Sequence, residues 1–317
     1  MLQNHTVITV GEILVEFVSH TQNCGLEIIS DYSGPYPSGA PAIFLNQVAR
    51  MGVPTEMFGG VGKDGFGNAV MNRLKEDGVG VAGISTSTTK STGVAFVSYY
   101  ENGSRDFIFH LTNTAADQFQ INLSTLDLSK TVLHVSAASL GNPAFREAIL
   151  RAVHDIDLAG GKITCDPNAR PELMRETGVR EALTHIMGLS FCLMPSTSDL
   201  SYLFPEFDED KAIDQLLGTN AKIIAIKRGA AGATVVSGDR RYDFQGHSVT
   251  EIDPTGAGDC FCGTFIAALV QGASLKAAGQ LANAAGAIAV TRRGPMEGNS
   301  SLAEITKFRA QSKEASK

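Results

Sequence analysis

No apolar run in this sequence is long enough to span a bilayer, and the opening residues Met1-Leu-Gln-Asn-His5 lack a basic segment followed by an apolar stretch. A cytoplasmic protein with no membrane partner is therefore expected. A lysine- or arginine-rich face is also missing. With a formal net charge of −7, the chain has little with which to neutralise phosphates, so no nucleic-acid partner is expected. A small anionic or neutral ligand remains open. The five cysteines, Cys24, Cys165, Cys192, Cys260 and Cys262, are odd in number and show no paired Cys-x-x-Cys spacing. That excludes a disulfide framework and a zinc site of that type. Cys260-Phe-Cys262 invites a metal or redox reading but has no matching His or Cys partners, so buried thiols are expected. Equally absent are the Gly-x-x-x-x-Gly-Lys-Ser/Thr phosphate loop, the His-Glu-x-x-His zinc helix and the Gly-x-Ser-x-Gly elbow. Gly62-Lys-Asp-Gly65-Phe-Gly67 has the wrong glycine spacing for a dinucleotide loop and shows no long strand before it, which sets a dehydrogenase aside.

What is present is 317 residues, 43% hydrophobic, without a biased tract. Such a chain can bury one large core, or a core with a small appendage. Short apolar runs alternate with longer amphipathic stretches, the pattern of strand and crossover helix in a parallel α/β sheet. Core strands are expected at Val7–Val10, Val132–Val135, Lys162–Cys165, Phe191–Met194 and Ile223–Ile226. Helices are expected at Ala42–Met51, Gly67–Asp77, Pro143–Leu158, Leu200–Leu217 and Gly258–Gln271. Two segments, Leu26–Tyr32 and Thr92–Phe109, read as strands that no crossover helix follows. Glu101-Asn-Gly103 is a turn signal that makes the second a hairpin. Together they form a small β lid or an antiparallel extension of the main sheet. The expected fold is one doubly wound α/β domain over residues 1–317, with lid strands within about 12–37 and 91–112.

The most informative stretch is Asp253-Pro-Thr-Gly256-Ala-Gly258-Asp259 followed by the apolar run Thr264–Val270. Small residues at a helix start let backbone N–H groups face outward and attract negative charge. Asp259 then stands in the first turn, either as a helix cap or as a carboxylate beside an anion cradle. The second arrangement suits phosphoryl transfer, where one base accepts a hydroxyl proton. Near the other end, Gly11-Glu12-Ile-Leu-Val-Glu16 is expected to close the first strand. Its period of two places Glu12, Leu14 and Glu16 on one face, where two carboxylates accept sugar hydroxyls or remain solvated edge charges.

Asp253-Pro-Thr-Gly-Ala-Gly-Asp259 resembles the C-terminal signature of the PfkB, or ribokinase, family of carbohydrate kinases. Pro37-Ser-Gly39-Ala-Pro41 and Gly60-Val-Gly62-Lys-Asp64-Gly-Phe-Gly67 are similar to the family's sugar-side signature. Asp166-Pro-Asn168-Ala-Arg170-Pro, Lys227-Arg-Gly229-Ala-Ala-Gly232 and Asn283-Ala-Ala-Gly286 follow in family order over nearly the whole chain. The resemblance implies an ATP- and magnesium-dependent sugar kinase, with potassium as a further candidate ion. It implies Asp259 as base and the amides of Gly256, Ala257 and Gly258 as oxyanion holders. Lys227, Gly229, Gly232, Asn283 and Gly286 would lie on the nucleotide side. The sugar would meet Glu12, Glu16, Gly39, Ala40, Asn168 and Arg170, with Arg105 from the lid. Asp253 is a monovalent-cation position in some relatives, or a turn residue before Pro254.

The chain also departs from the family pattern. Ile43 stands where relatives often carry a sugar-binding Asn, with Asn46 one helical turn later as a substitute or simply a polar helix position. Ser38 replaces a glycine. The family's Asn-x-x-Glu is reduced to Ser196-Thr-Ser-Asp199, leaving Asp199 for magnesium's outer shell. Arg105 and Arg170 read as carboxylate or phosphate forks, or as solvated surface. Phe107 and Phe109 share one face of their strand, to press on a sugar or to pack. The nearest branch is that of fructokinase, tagatose kinase and 2-keto-3-deoxygluconate kinase. A ketohexose is expected as substrate, a keto-deoxy acid is the alternative, and a non-catalytic sugar-binding regulator is the reading from another class. A lid edge makes a homodimer plausible.

Overall fold

The computed structural model describes residues 2–101 and 104–314; the turn expected at Asn102-Gly103 lies outside them. The chain opens with β1 (Thr6–Val10), leaves it for β2 (Leu14–Ser19) and β3 (Tyr32–Ser38), and returns through α1 (Ala40–Arg50), β4 (Thr55–Gly62), α2 (Gly65–Glu76) and β5 (Ile84–Ser87). It leaves again for β6 (Gly93–Tyr99) and β7 (Arg105–His110), then resumes with β8 (Thr131–Ser136), α3 (Pro143–Leu158), β9 (Lys162–Asp166), α4 (Val179–Leu189) and β10 (Cys192–Leu193). Last come α5 (Thr197–Leu203), α6 (Glu209–Leu217), β11 (Ile223–Lys227), β12 (Gly232–Ser237), β13 (Arg240–Gln245), α7 (Ala257–Val270), α8 (Leu275–Ala289) and α9 (Leu302–Glu314).

Nine strands form the main sheet in the order β13-β12-β11-β10-β9-β8-β1-β4-β5. All neighbours run parallel except β11–β12 and β12–β13. Because crossover helices cover both faces, successive strand residues are buried on opposite sides. Val7 faces the core under α1, α7 and α8, whereas Ile8 faces the core under α3, α4 and α6. Ile223 and Ala225 divide from Ile224 and Ile226 in the same way. This is the doubly wound α/β architecture that the alternation predicts. Helix α3 shows why the boundaries were legible: Asn142 caps it through the amides of Ala144 and Phe145, and Pro143 takes the first turn, where no N–H is needed.

The remaining four strands make a separate sheet in the order β3-β2-β6-β7. The hairpin β6–β7 is antiparallel, as expected, but β2 and β6 run parallel. Phe17 of β2 stacks on Phe96 of β6 with ring centroids 5.4 Å apart, and Phe66 of α2 meets Phe17 edge-on at 5.7 Å, fastening this lid to the body.

Four expectations need correction. The segment 26–32 is not a strand: Ile28 and Ile29 are exposed, and the strand lies later, at Tyr32–Ser38. Its Pro35 and Pro37 disguised it, yet an edge strand tolerates prolines. The helix expected over 200–217 breaks at Pro205 into α5 and α6, each with its own cap, Ser196 and Asp208. The first strand ends at Val10, so Glu12 lies in the connection and Glu16 on the lid. Finally, an eight-residue strand, β4, does precede Gly62-Lys-Asp-Gly65. It was hidden by Gly59 and Gly60, where a Cβ would approach the Gly11 and Ala115 carbonyl oxygens to 2.6 and 2.2 Å.

Candidate active site

The carboxyl ends of β1, β9 and β11 and the start of α7 converge at one edge of the sheet, where open α/β sheets bind ligands. Gly256 takes the N-cap position of α7 with φ +78° and offers no side-chain cap. A Cβ there would stand 2.3 Å from the Pro295 carbonyl oxygen, so only glycine turns the chain at this point. The amides of Gly256 and Gly258 donate to no group among the described residues, leaving an anion-seeking helix start.

Asp259 follows in the first turn and accepts no hydrogen bond among the described residues, so it is not the cap. Burial, reinforced by Asp166, raises its pKa to about 7 against the opposing pull of Lys227 and Arg170. A carboxylate so placed exchanges its proton near neutral pH.

Beneath this turn runs Lys227, whose Nζ would lie 3.6 Å from a Cβ on Gly258. It forms an ion pair with Asp166 and sits 3.8 Å from the Cys262 sulfur. Its ammonium is therefore spent inside the protein, and the nucleotide contact expected of it is replaced by a supporting role. Gly229, with φ +55°, has open space around it, as a residue facing a ligand would. Gly232 instead answers to the sheet: a Cβ would come within 2.0 Å of the Phe244 carbonyl oxygen. Asn283 of α8 donates to the Gln245 carbonyl at 2.8 Å, and a Cβ on Gly286 would lie 3.6 Å from the Ala257 carbonyl oxygen, an ordinary contact.

On the other side of Asp259, Glu12 accepts from Ser139 Oγ at 2.5 Å, and burial raises its pKa despite that bond. Gly39 precedes α1 with φ +109°, and a Cβ there would meet the Glu12 carbonyl oxygen at 2.4 Å; the adjacent Ala40 amide also favours the Glu12 carboxylate. Glu16 accepts from Ser38 Oγ at 3.1 Å, while its Oε1 is buried without a partner. Burial and then Asp253 push its pKa up to about 7. Ser38 thus has work that a glycine cannot do. Arg170 donates to Asn168 at 3.2 Å, and Arg105 and Arg170 flank the Phe107 ring at 5.3 and 6.0 Å. Neither is plain solvated surface. Phe107 also stacks on Phe109 at 5.2 Å, so packing accounts for that pair.

Three expectations move away from ligand contact. Asn46 is fully buried, donating to Asp77 at 2.8 Å and accepting from Asn299 at 2.8 Å, because its face of α1 packs on α2 and the chain before α9. It does not replace the missing sugar Asn, and Ile43 is buried beside Gly256. Asp199 accepts from the Ala169 amide with one oxygen and, in a capping box, from Ser196 with the other, so both are engaged. Asp253 accepts from Tyr99 and the Thr255 amide on one oxygen and from the Gly294 amide on the other, which is the role of a turn residue. Among the described residues no group of three or more His, Cys, Asp or Glu is placed to hold a metal ion. A magnesium ion that arrives on nucleotide phosphates needs no such cage. Tyr99, Thr255, Ser139 and the counter-ion Asp166 were missed as site residues; only Asp166 had a signal, its place in Asp-Pro-Asn.

An open helix start and a carboxylate without a hydrogen-bond partner among the described residues stand here, with Tyr99 and Arg105 of the small sheet reaching the adjoining loop, an arrangement suited to a phosphotransferase. The profile of the pfkB family of carbohydrate kinases matches residues 4–302, and the chain belongs to that family. It is 30% identical to "Probable fructokinase-4" of Arabidopsis thaliana over 91% of each chain, and 29% identical to the fructokinase of Vibrio alginolyticus over 86% of this chain and 91% of that one. An E. coli structure described as "putative Ribokinase II in complex with ATP and Mg+2" superposes with a TM-score of 0.90 at 40% identity, covering 97% of this chain and 99% of the other. The protein is an ATP-dependent sugar kinase. No helix among the described residues is long and apolar enough to cross a membrane.

Proposed function

We propose that the protein transfers the γ-phosphate of MgATP to a hydroxyl of a ketohexose, fructose- or tagatose-like, with Asp259 as the base. The carrying observation is the unpartnered Asp259 carboxylate in the first turn of α7, beside the free amides of Gly256 and Gly258. Asp259 takes the hydroxyl proton, and those two amides hold the charge that grows on the transferring phosphoryl oxygens; the Ala257 amide, expected to join them, instead donates to the Pro254 carbonyl at 3.4 Å. The orphaned Glu16 Oε1 offers an acceptor to a sugar hydroxyl, as does Glu12, whose charge reaches Asp259. Gly229 and Gly286 are suited to the nucleotide side. Magnesium would come with the nucleotide and supply charge neutralisation there. The fructokinase names of the relatives favour the ketohexose. A second reading, a keto-deoxy sugar acid, draws on Arg105 and Arg170 around Phe107, which would pair with a carboxylate. The exposed lid residues Ile28, Ile29, Ile108 and Phe109 would carry a homodimer.

ADP release measured with ketohexoses, aldohexoses, pentoses and keto-deoxy acids tests the reading. The expected result is the highest kcat/KM with fructose or tagatose. Preference for the acid would transfer the assignment to the second reading, and no sugar-dependent release with any of them would leave a regulator.

A pH profile provides an independent check. A base must be ionised to act, and Asp259 is half-protonated near pH 7. The rate therefore falls as pH drops through that value and levels off above it. An acid limb near the ordinary aspartate range would refute the elevated pKa.

A further inference from the structure

Both strands of the lid's hairpin reach the loop that precedes the proposed base. Tyr99, the last residue of β6, is the cross-strand partner of Arg105, the first of β7, so a phenol and a guanidinium leave the lid side by side. Tyr99 donates its hydroxyl hydrogen to Asp253 Oδ1 at 2.5 Å. The Thr255 hydroxyl, hydrogen-bonded to the same phenol oxygen, is then its donor, and Arg105 Nη1 approaches that hydroxyl at 3.5 Å. The result is a chain of donors from Arg105 through Thr255 and Tyr99 into Asp253. Asp253 and Thr255 are buried, and Asp253 also accepts the amides of Thr255 and Gly294, each at 2.9 Å. Thr255 adjoins Gly256, the left-handed residue that starts α7 and so aims Asp259.

We propose that Tyr99 is a positioning residue for phosphoryl transfer: its hydroxyl, delivered by the lid, holds the 253–256 turn in the geometry that directs Asp259 at the acceptor. The inference rests on Asp259 being the base. The turn contains a glycine whose backbone is intrinsically free, so it needs an outside anchor. A lid that supplies the anchor makes the base competent when the lid is seated. Phenylalanine keeps the ring and loses the donor, leaving the buried Asp253 with two amides where it had three donors.

The full chain is compared as wild type, Tyr99→Phe, Thr255→Val and the double variant, with the best sugar from the panel. Tyr99→Phe is expected to lower kcat about 10- to 100-fold, the usual consequence of a misplacement near 1 Å. The KM values for sugar and ATP should change by less than about threefold, because ground-state binding is retained. Thr255→Val should act alike, and the double variant should be little worse than either, since both break one relay. Hydrogen exchange of the free protein should rise in Tyr99→Phe at the amides of residues 255–260 and stay unchanged elsewhere. An unaltered kcat, a loss confined to KM, additive variants, or exchange that rises across the whole chain would each overturn the inference. A wild type without sugar-dependent ADP release would instead defeat the proposed function, and the exchange result would still decide whether Tyr99 anchors the turn.

Discussion

Replacing Asp259 by Asn is expected to reduce kcat by about 10²- to 10⁴-fold, the range that a positioned proton acceptor contributes, while sugar affinity is largely kept. The side chain accepts no hydrogen bond among the described residues, so the isosteric amide breaks no hydrogen bond seen there. What it loses is the capacity to take a proton as the sugar oxygen attacks, a role that exists only in the transition state. Steady-state rates together with calorimetric sugar binding separate the two effects. A variant that keeps most of its turnover would show that Asp259 is a bystander. A variant that instead loses sugar binding with kcat unchanged would make it a ligand.

Lys227→Met should be the most destabilising single change near the site, costing about 3–5 kcal/mol, as expected when one partner of a buried ion pair is removed. The Asp166 side chain is 3% exposed and that of Lys227 14%, and Asp166 would be left charged beside the Cys262 thiol, or forced to protonate. Denaturant unfolding measures the loss, and the pair Asp166→Asn with Lys227→Met should recover much of it, because no charge is then stranded. A loss below about 1 kcal/mol, typical of an exposed pair, would mean that the ammonium rests in solvent. The same variant also tests the supporting role: with the floor under Gly258 altered, kcat should fall more than the KM for ATP rises.

The layered fold was legible because buried parallel strands write themselves as apolar runs and the crossover helices as stripes. Asn142-Pro143 marked the start of α3 to the residue. β4 escaped because tight backbone contacts replaced its central side chains by Gly59 and Gly60, removing the hydrophobic signal. β3 escaped because Pro35 and Pro37 are permitted only by its edge position, which is a property of the sheet and not of the segment. In the candidate site, the start of α7 at Gly256 was readable because chain-local geometry sets it. The residues that the structure pairs internally share a different cause. Asn46, Asp199 and Lys227 are polar residues that the sequence offers to a ligand, but each is claimed by partners that only the fold brings near: Asp77 and Asn299, Ala169, and Asp166. The same distance hides Tyr99, whose partner Asp253 lies 154 residues away.

The path of the chain through the two sheets has an engineering consequence. The strands 14–38 and 93–110 of the lid are separated in sequence by α1, β4, α2 and β5, so the backbone passes between lid and body four times. The lid is therefore not a cassette. A transplant that seeks to import another enzyme's sugar preference must move both segments together, and their neighbours Phe66 and Asp253 with them, or the recipient will receive half a sheet and no docking points.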